Sequence, residues 1–139
     1  MKRNEPVTKI MSSQLITVHH GDPISKVRQL IREYGLHHVP VVSGDQLVGI
    51  ISNSDILRVS FGDAFNADER TVDATLDHTM TLEQLMQKDV VTLTEHSTIR
   101  EAAEILGQGK FHSLPVLNGR KIVGMVTTTD LIRYLAELF

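Results

Sequence analysis

Gly49-Ile50-Ile51-Ser52-Asn53-Ser54-Asp55 has a counterpart 75 positions later in the chain, Gly124-Met125-Val126-Thr127-Thr128-Thr129-Asp130 (124 − 49 = 75). Each copy predicts a strand that leads directly into a helix. Ser or Thr is a favourable N-cap residue, and an Asp three positions later suits the positive end of the helix dipole. The same helix start can also bind an anion, because its first N–H groups have no partner within the helix. The motif therefore has two interpretations, a helix cap and a ligand site.

The duplication extends well beyond this motif. A shift of 75 positions aligns the chain with itself from Val7 to Ser60 without a gap. Two tandem repeats are therefore predicted, at residues 1–60 and 82–139. The intervening residues 61–81 are rich in Asp and Thr and have weak periodicity, which predicts a partly ordered acidic linker exposed to solvent.

Each repeat predicts the element order β-α-β-β-α, and hence an α+β fold. Asp22 followed by Pro23 predicts a helix with Asp22 as its N-cap and Pro23 as its first residue, and Gly35 is typical of the helix end. Gly44 and Gly119 indicate the two hairpin turns. A repeat of about sixty residues buries too little surface to be secure alone, so the repeats should share a core. The predicted strands are residues 15–18, 38–42, 47–51, 90–93, 113–117 and 122–126.

The composition narrows the class of protein. The 139 residues carry a formal net charge of −3, no Cys and 4% aromatic residues. Without Cys there is no disulfide and no thiolate metal site. Few aromatic side chains and no basic face argue against nucleic acid as a partner. With no signal-peptide pattern and no apolar run that could span a bilayer, we expect a cytoplasmic protein without membrane contact.

The doubled Gly-h-h-Ser/Thr-x-x-Asp pattern, where h is a large apolar residue, resembles the cystathionine β-synthase (CBS) domain pair, or Bateman module. The preceding strands His-His-Val-Pro-Val-Val (37–42) and His-Ser-Leu-Pro-Val-Leu (112–117) share this resemblance. It covers nearly the whole chain and implies a stand-alone CBS pair, with two repeats packed about a pseudo-two-fold axis. The resemblance also implies a flat homodimer.

The resemblance further implies clefts that bind an adenosine derivative such as AMP, ADP, ATP or S-adenosylmethionine, with no required cofactor. The motif Asp would accept hydrogen bonds from both ribose hydroxyls, and the hydroxyl residues would meet phosphate. The second motif would pair with residues 11–16 and the first motif with residues 86–91. The implied ligand-binding residues are Asp130, Thr127, Thr129, Ile16, His37, Asp55, Ser52, Ser54, Val91 and His112, with Ile16 and Val91 against adenine and the two His near phosphate.

The sequence departs from many nucleotide-binding members at the positions where they carry Arg or Lys. Those positions hold Asn53-Ser54, Thr128-Thr129, His38 and Ser113. A ligand with several phosphates would need cations from elsewhere, either from a partner chain or from Lys110, Arg120 or Lys121. One phosphate is therefore favoured over three, and a neutral or cationic adenosyl ligand stays open.

Three functions follow as hypotheses. The first is a non-enzymatic regulatory module that binds an adenosyl ligand, with Thr127 and Asp130 as the preferred site and an unidentified regulated protein as partner. The second is a ligand-free oligomerisation scaffold, in which Asp55 and Asp130 only cap helices and pair with Arg58 and Arg133. The third, an enzyme, is disfavoured because no nucleophile–base pair, metal-ligand cluster or complete phosphate-binding loop is legible.

Overall fold

The structure, a computed structural model, describes residues 4–60 and 68–139. It contains both helices and β-sheet, so the predicted α+β fold is confirmed. Two compact units are present: unit 1 comprises Met1–Leu15 together with Val91–Phe139, and unit 2 comprises Ile16–Val90. Each unit therefore combines segments from both sequence repeats.

Unit 2 is built on three strands in the order β1-β2-β3, namely Val18–His19, His38–Ser43 and Gln46–Ser52. Strand β1 runs parallel to β2, with Val18 opposite Val41, and β2 and β3 form an antiparallel hairpin. The hairpin turn contains Gly44 with φ of 63°, a conformation that glycine adopts without strain. The helices are α1 (Ile24–Tyr34), α2 (Asn53–Ser60), α3 (Glu69–Thr79) and α4 (Leu82–Leu85).

Unit 1 repeats this plan. A 3₁₀ turn at Val7–Lys9 precedes strands β4 (Leu93–Thr94), β5 (Ser113–Asn118) and β6 (Lys121–Thr127), with β4 parallel to β5 and β5 antiparallel to β6. Its helices are α5 (Ile99–Leu106) and α6 (Thr128–Glu137). The predicted order β-α-β-β-α is therefore present twice.

Each unit has its own hydrophobic core, and each core draws on both sequence repeats. Val7, from the first repeat, is fully buried in the core of unit 1, while Leu82 and Leu85 are buried in that of unit 2. Strands β1 and β4 begin three residues later than predicted. Residues 15–17 and 90–92 make no strand pairing, whereas Ser12 and Gln87, further toward the N-terminus of each segment, are bridged to Met125 and Ile50.

The predicted role of Asp22 as the N-cap of α1 is wrong. Pro23 occupies the N-cap position and makes no side-chain capping bond. The carboxylate of Asp22 instead accepts a hydrogen bond from the backbone N–H of His19 at 2.9 Å, within the turn that follows β1. This bond lowers the pKa of the Asp22 carboxyl below its ordinary value.

The segment expected to be a solvated linker contains helix α3. Residues 61–67 lie outside the described part of the chain, but Asp68 caps α3 by accepting a hydrogen bond from Thr71 N–H at 2.8 Å. Val72 and Leu76, four residues apart, are buried in the core of unit 2. The acidic residues have partners on α1, since Arg28 pairs with both Asp73 and Glu69. Only two apolar positions stand among the acidic residues, so the sequence shows no clear helical periodicity and the helix was not predicted.

Candidate functional site

Both copies of the repeated motif cap a helix in the same way. In unit 1, Thr127 Oγ1 accepts from Asp130 N–H at 3.1 Å, and Asp130 Oδ2 accepts from Thr127 N–H at 2.8 Å. In unit 2, Ser52 and Asp55 make the same reciprocal pair at 3.1 and 2.9 Å. The capping interpretation is therefore confirmed for both copies.

The carboxylate of Asp55 is fully engaged by protein donors. Its Oδ2 accepts from the N–H and the hydroxyl of Ser52, both at 2.9 Å. Its Oδ1 accepts from Arg58 and from Gln87 Nε2, the latter at 3.2 Å. A carboxylate offers about four acceptor positions, so these four donors use its capacity. Asp55 is also only 5% exposed, and this environment suits a buried, paired anion.

Asp130 differs although its motif is equivalent. Its Oδ2 is held by Thr127 N–H, while Oδ1 has no hydrogen-bond donor among residues 4–60 and 68–139. Asp130 is half-buried and lines a pocket of about 610 Å³ together with Lys9, Arg133 and Tyr134. No ion pair forms between Asp130 and Arg133 within the described chain, in contrast to the pair of Asp55 and Arg58. One oxygen of Asp130 is therefore available to a donor from outside the chain.

A short backbone bridge joins each motif strand to a segment of the other sequence repeat. Ser12 and Met125 exchange two hydrogen bonds at 2.9 and 3.0 Å, and Gln87 and Ile50 do so at 2.8 and 3.0 Å. Ser12 and Gln87 occupy equivalent positions of the two repeats (87 − 75 = 12). The structure thus brings Ser12 to the strand of the Asp130 motif and Gln87 to the strand of the Asp55 motif, each pair within one unit.

The glycine that opens each motif is required by this close approach. A Cβ on Gly49 would lie 2.7 Å from Met86 Sδ and 3.0 Å from the backbone oxygen of Gln87. A Cβ on Gly124 would collide with Met11. Met11 and Met86 are also equivalent by the shift of 75. The conserved geometry of the two copies therefore depends on a Gly–Met contact in each unit.

His37 and His112 lie beside the motif helices. The carbonyl of His37 accepts from Asn53 N–H at 3.1 Å, and that of His112 accepts from Thr128 N–H at 3.0 Å. Both side chains are exposed. Next to His112, Ser113 pairs across the hairpin with Thr127, and its buried hydroxyl has no hydrogen-bond partner within the described chain. A polar group without a partner beside Thr127 is a further feature of unit 1 alone.

The remaining predicted residues are placed as follows. Ser54 and Thr129 are exposed in the first turns of α2 and α6. Ile16 belongs to unit 2 and Val91, 38% exposed, to unit 1, so their predicted roles against adenine stay predictions. Lys110, Arg120 and Lys121 are exposed on unit 1. Sequence reasoning missed Lys9 as a cation of the Asp130 pocket, since nothing in the motif links residue 9 to residue 130. It named Arg133 as an ion-pair partner of Asp130, whereas Arg133 lines the pocket without that ion pair in the described residues.

A polar network lies in the same pocket. The hydroxyl of Tyr134 donates to Glu5, and Lys9 Nζ donates to the same carboxylate at 2.8 Å. Lys9 Nζ also lies 5.8 Å from the centre of the Tyr134 ring. The hydrogen bonds to Glu5 raise the pKa of both Tyr134 and Lys9 above their ordinary values. The network ties the segment before Ser12 to helix α6.

An apolar groove of about 730 Å³ runs between α5 and α6 in unit 1. The sequence places Leu131, Ile132, Leu135 and Leu138 on the last helix, and the latter three are 62%, 50% and 44% exposed. Only Leu131 of this set packs against the core. The outer face of α6 therefore presents apolar side chains to the surroundings.

No helix in residues 4–60 or 68–139 is long and apolar enough to cross a membrane. Within the same residues, no group of three or more His, Asp or Glu side chains is arranged to hold a metal ion.

Comparison with known proteins gave consistent matches. The sequence model of the CBS domain matches residues 7–62 and 82–137. The uncharacterized protein MJ1225 of Methanocaldococcus jannaschii is 29% identical over 135 residues, which cover 96% of this chain and 48% of that protein. The chain spans about half or less of the length of several curated relatives that it matches.

Solved structures show the same fold. CBSX2 in complex with AMP is 21% identical with a TM-score of 0.79, and the match covers 96% of this chain and 98% of that one. The CBS domain pair of protein MJ0100, in complex with 5′-methylthioadenosine and S-adenosylmethionine, is 24% identical with a TM-score of 0.76 and covers 96% and 98%.

Proposed function

Because the chain belongs to the CBS-domain family, we propose that it is a regulatory module that binds an adenosine-containing ligand at Asp130. It works without chemical turnover of that ligand. Regulation then requires that the ligand bind one conformation or assembly of the protein better than another.

The observation that carries this proposal is the free oxygen of Asp130. A carboxylate held in place by one N–H on Oδ2 presents Oδ1 with a fixed direction. The vicinal hydroxyls of a ribose are donors, and such an oxygen can accept a hydrogen bond from each of them. Hydrogen bonds to a charged acceptor are stronger than those between neutral groups.

The charges around Asp130 favour a ligand of low negative charge. The pocket contains three carboxylates, from Glu5, Asp130 and Glu137, and two cations, from Lys9 and Arg133. A triphosphate would enter a site whose own charge is negative, which opposes binding. AMP and S-adenosylmethionine, which the similar structures contain, are therefore better candidates for this chain than ATP.

Thermal unfolding tests the proposal. AMP, ADP, ATP and S-adenosylmethionine are added separately to the wild type and to Asp130→Asn, which keeps the size of the side chain and an oxygen for the Thr127 cap. A ligand at a hundred times its Kd should add about 2.7 kcal/mol and raise the Tm by several degrees. The variant should lose this shift. The proposal is wrong if no adenosyl compound shifts the Tm of the wild type.

The exposed apolar face of α6 favours a second candidate function, homodimerisation. Ile132, Leu135 and Leu138 line the groove between α5 and α6, and apolar side chains grouped in this way are typical of a protein contact. A second copy of the chain is the proposed occupant, and sedimentation of the purified protein is the direct test. Asp130 itself does not line the groove, but Tyr134 and Leu138 line both the groove and the Asp130 pocket, so dimerisation and ligand binding would share part of one surface.

A further inference from the structure

We infer that Gln87 and Arg58 block the Asp55 carboxylate by donating hydrogen bonds to its Oδ1. The chain would then bind one adenosyl ligand, at Asp130, and not two. The inference rests on the proposed function at Asp130 and adds the reason why the equivalent position in unit 2 is closed.

The difference between the two motifs comes from residues outside them. Ser12 and Gln87 occupy equivalent positions and make the same backbone bridge to the motif strand. The longer side chain of Gln87 reaches Asp55, with its Nε2 3.2 Å from Oδ1. Ser12 makes no side-chain hydrogen bond to Asp130 in the described chain. A serine side chain has three fewer heavy atoms than that of glutamine, so Ser12 lacks the length with which Gln87 reaches its Asp.

The arginines amplify this difference. Arg58 and Arg133 are also equivalent, each three residues after its Asp. Arg58 pairs with Asp55, whereas Arg133 lines the pocket and makes no ion pair with Asp130 in the described residues. Oδ1 of Asp55 thus has two donors, Arg58 and Gln87, while Oδ1 of Asp130 has none within residues 4–60 and 68–139.

The consequence for binding follows from the acceptor count. A ribose that approached Asp55 would have to displace two donors, one of them cationic, from a carboxylate that is 5% exposed. The hydrogen bonds gained by the ribose would be offset by the loss of those from Arg58 and Gln87, so the net free energy of binding would be small. At Asp130, no donor from residues 4–60 or 68–139 has to be displaced from Oδ1. Ser52, although suited to a ligand by sequence, therefore serves the cap of α2, and the exposed Ser54 has no ligand to meet.

Isothermal titration with AMP and with S-adenosylmethionine tests this inference through stoichiometry. The wild type should bind one ligand per chain. Asp130→Asn should weaken that binding about tenfold or more, which corresponds to about 1.4 kcal/mol. The double variant Gln87→Ser with Arg58→Ala should bind a second ligand per chain, and a further Asp55→Asn change should remove only that second event.

A converse variant acts on unit 1 and does not depend on how well the double variant folds. Ser12→Gln should place an amide donor before Asp130 and weaken ligand binding several-fold. The matched control is Lys88→Ala, which alters the exposed neighbour of Gln87 and should leave one site of unchanged affinity. Circular dichroism of every variant establishes that it is folded.

The outcomes separate this inference from the proposed function. Two ligands per wild-type chain, with one lost in Asp55→Asn, would overturn the inference and leave the proposed function standing. A folded double variant that still binds a single ligand would also overturn it. If the wild type binds no ligand and the double variant binds one through Asp55, the proposed site at Asp130 fails and the closure of Asp55 is supported. Binding by no variant overturns both.

Discussion

The hydroxyl of Tyr134, on the last helix, donates a hydrogen bond to the carboxylate of Glu5, which precedes the first 3₁₀ turn. The two residues belong to opposite ends of the described chain, yet both line the pocket of Asp130. The contact has no counterpart in unit 2, where Val59 is the equivalent of Tyr134. It therefore stabilises the arrangement of residues 5–12 that the Asp130 site requires.

Tyr134→Phe should lower the stability of unit 1 and remove a titration that the wild type shows at high pH. The hydrogen bond to Glu5 raises the pKa of Tyr134 in the folded protein, so its stabilising effect is present below the unfolded pKa. That effect is lost as the pH rises through the folded pKa. In a titration of phenolate absorbance against pH, the transition at the highest pH should therefore be absent in the variant. An unchanged high-pH component would exclude this contact.

Asp22→Asn should remove part of the acid sensitivity of the protein. The folded pKa of Asp22 is lowered, chiefly by the hydrogen bond from His19 N–H, so the contribution is present above the unfolded value of about 3.9. It disappears as the pH falls through the folded pKa. The difference in urea midpoint between wild type and variant should thus be larger at neutral pH than under strongly acidic conditions. A difference that is independent of pH would contradict this role.

Leu76→Ala should destabilise unit 2 by about 2–5 kcal/mol, because a side chain that is 3% exposed leaves a cavity in the core. Chemical denaturation measures the loss. Ala74→Ser, on the exposed side of the same helix, is the matched control and should change stability by no more than about 0.5 kcal/mol. Equal, small effects of the two changes would indicate that α3 is the solvated linker that the sequence predicted.

Gly49→Ala should cost about 1–3 kcal/mol, since the added methyl group meets both Met86 and a backbone oxygen that cannot move aside. The control is Gly21→Ala, where the nearest atom, His19 Nδ1, is 3.4 Å from the new Cβ. Thermal unfolding of both variants provides the comparison. If Gly49→Ala matched the control, the Gly–Met contact would not fix the approach of residues 86–87.

Leu135→Glu should convert a dimer into a monomer if α6 forms the interface between two copies. Charge placed in an apolar contact is costly because it must be desolvated without a partner. Ala136→Glu adds the same charge at the adjacent exposed position, which does not line the groove, and should leave the assembly intact. Analytical ultracentrifugation distinguishes the two. A wild type that sediments as a monomer would refute the proposed dimer.

Local signals in the sequence were sufficient for the fold. The glycines at 44 and 119 place the hairpin turns, and the apolar spacing of α1 and α5 predicts their helices. Helix α3 was missed because Val72 and Leu76 are only two apolar positions among acidic residues, and its stability depends on Arg28 in another helix. Asp22 was predicted to cap α1 because Asp is common both at helix N-caps and in turns, and the sequence alone does not distinguish the two.

The sequence predicted the two motif carboxylates of the candidate site but not the difference between them. The motif identifies Asp55 and Asp130 as equivalent, and their caps are indeed alike. What distinguishes them is the residue that the backbone bridge presents, Gln87 or Ser12, and neither is near its Asp in the sequence. Only the three-dimensional pairing reveals which carboxylate has a free oxygen.

The interleaved composition of the two units has a consequence for the order in which the chain folds. Unit 2 is one continuous segment, Ile16–Val90, whereas unit 1 combines residues before 16 with residues after 90. Its bridge from Ser12 to Met125 closes a much longer loop than that from Ile50 to Gln87. Long loops are slower to close and cost more entropy. During synthesis the closed Asp55 motif can therefore form first, and the open Asp130 motif is completed last.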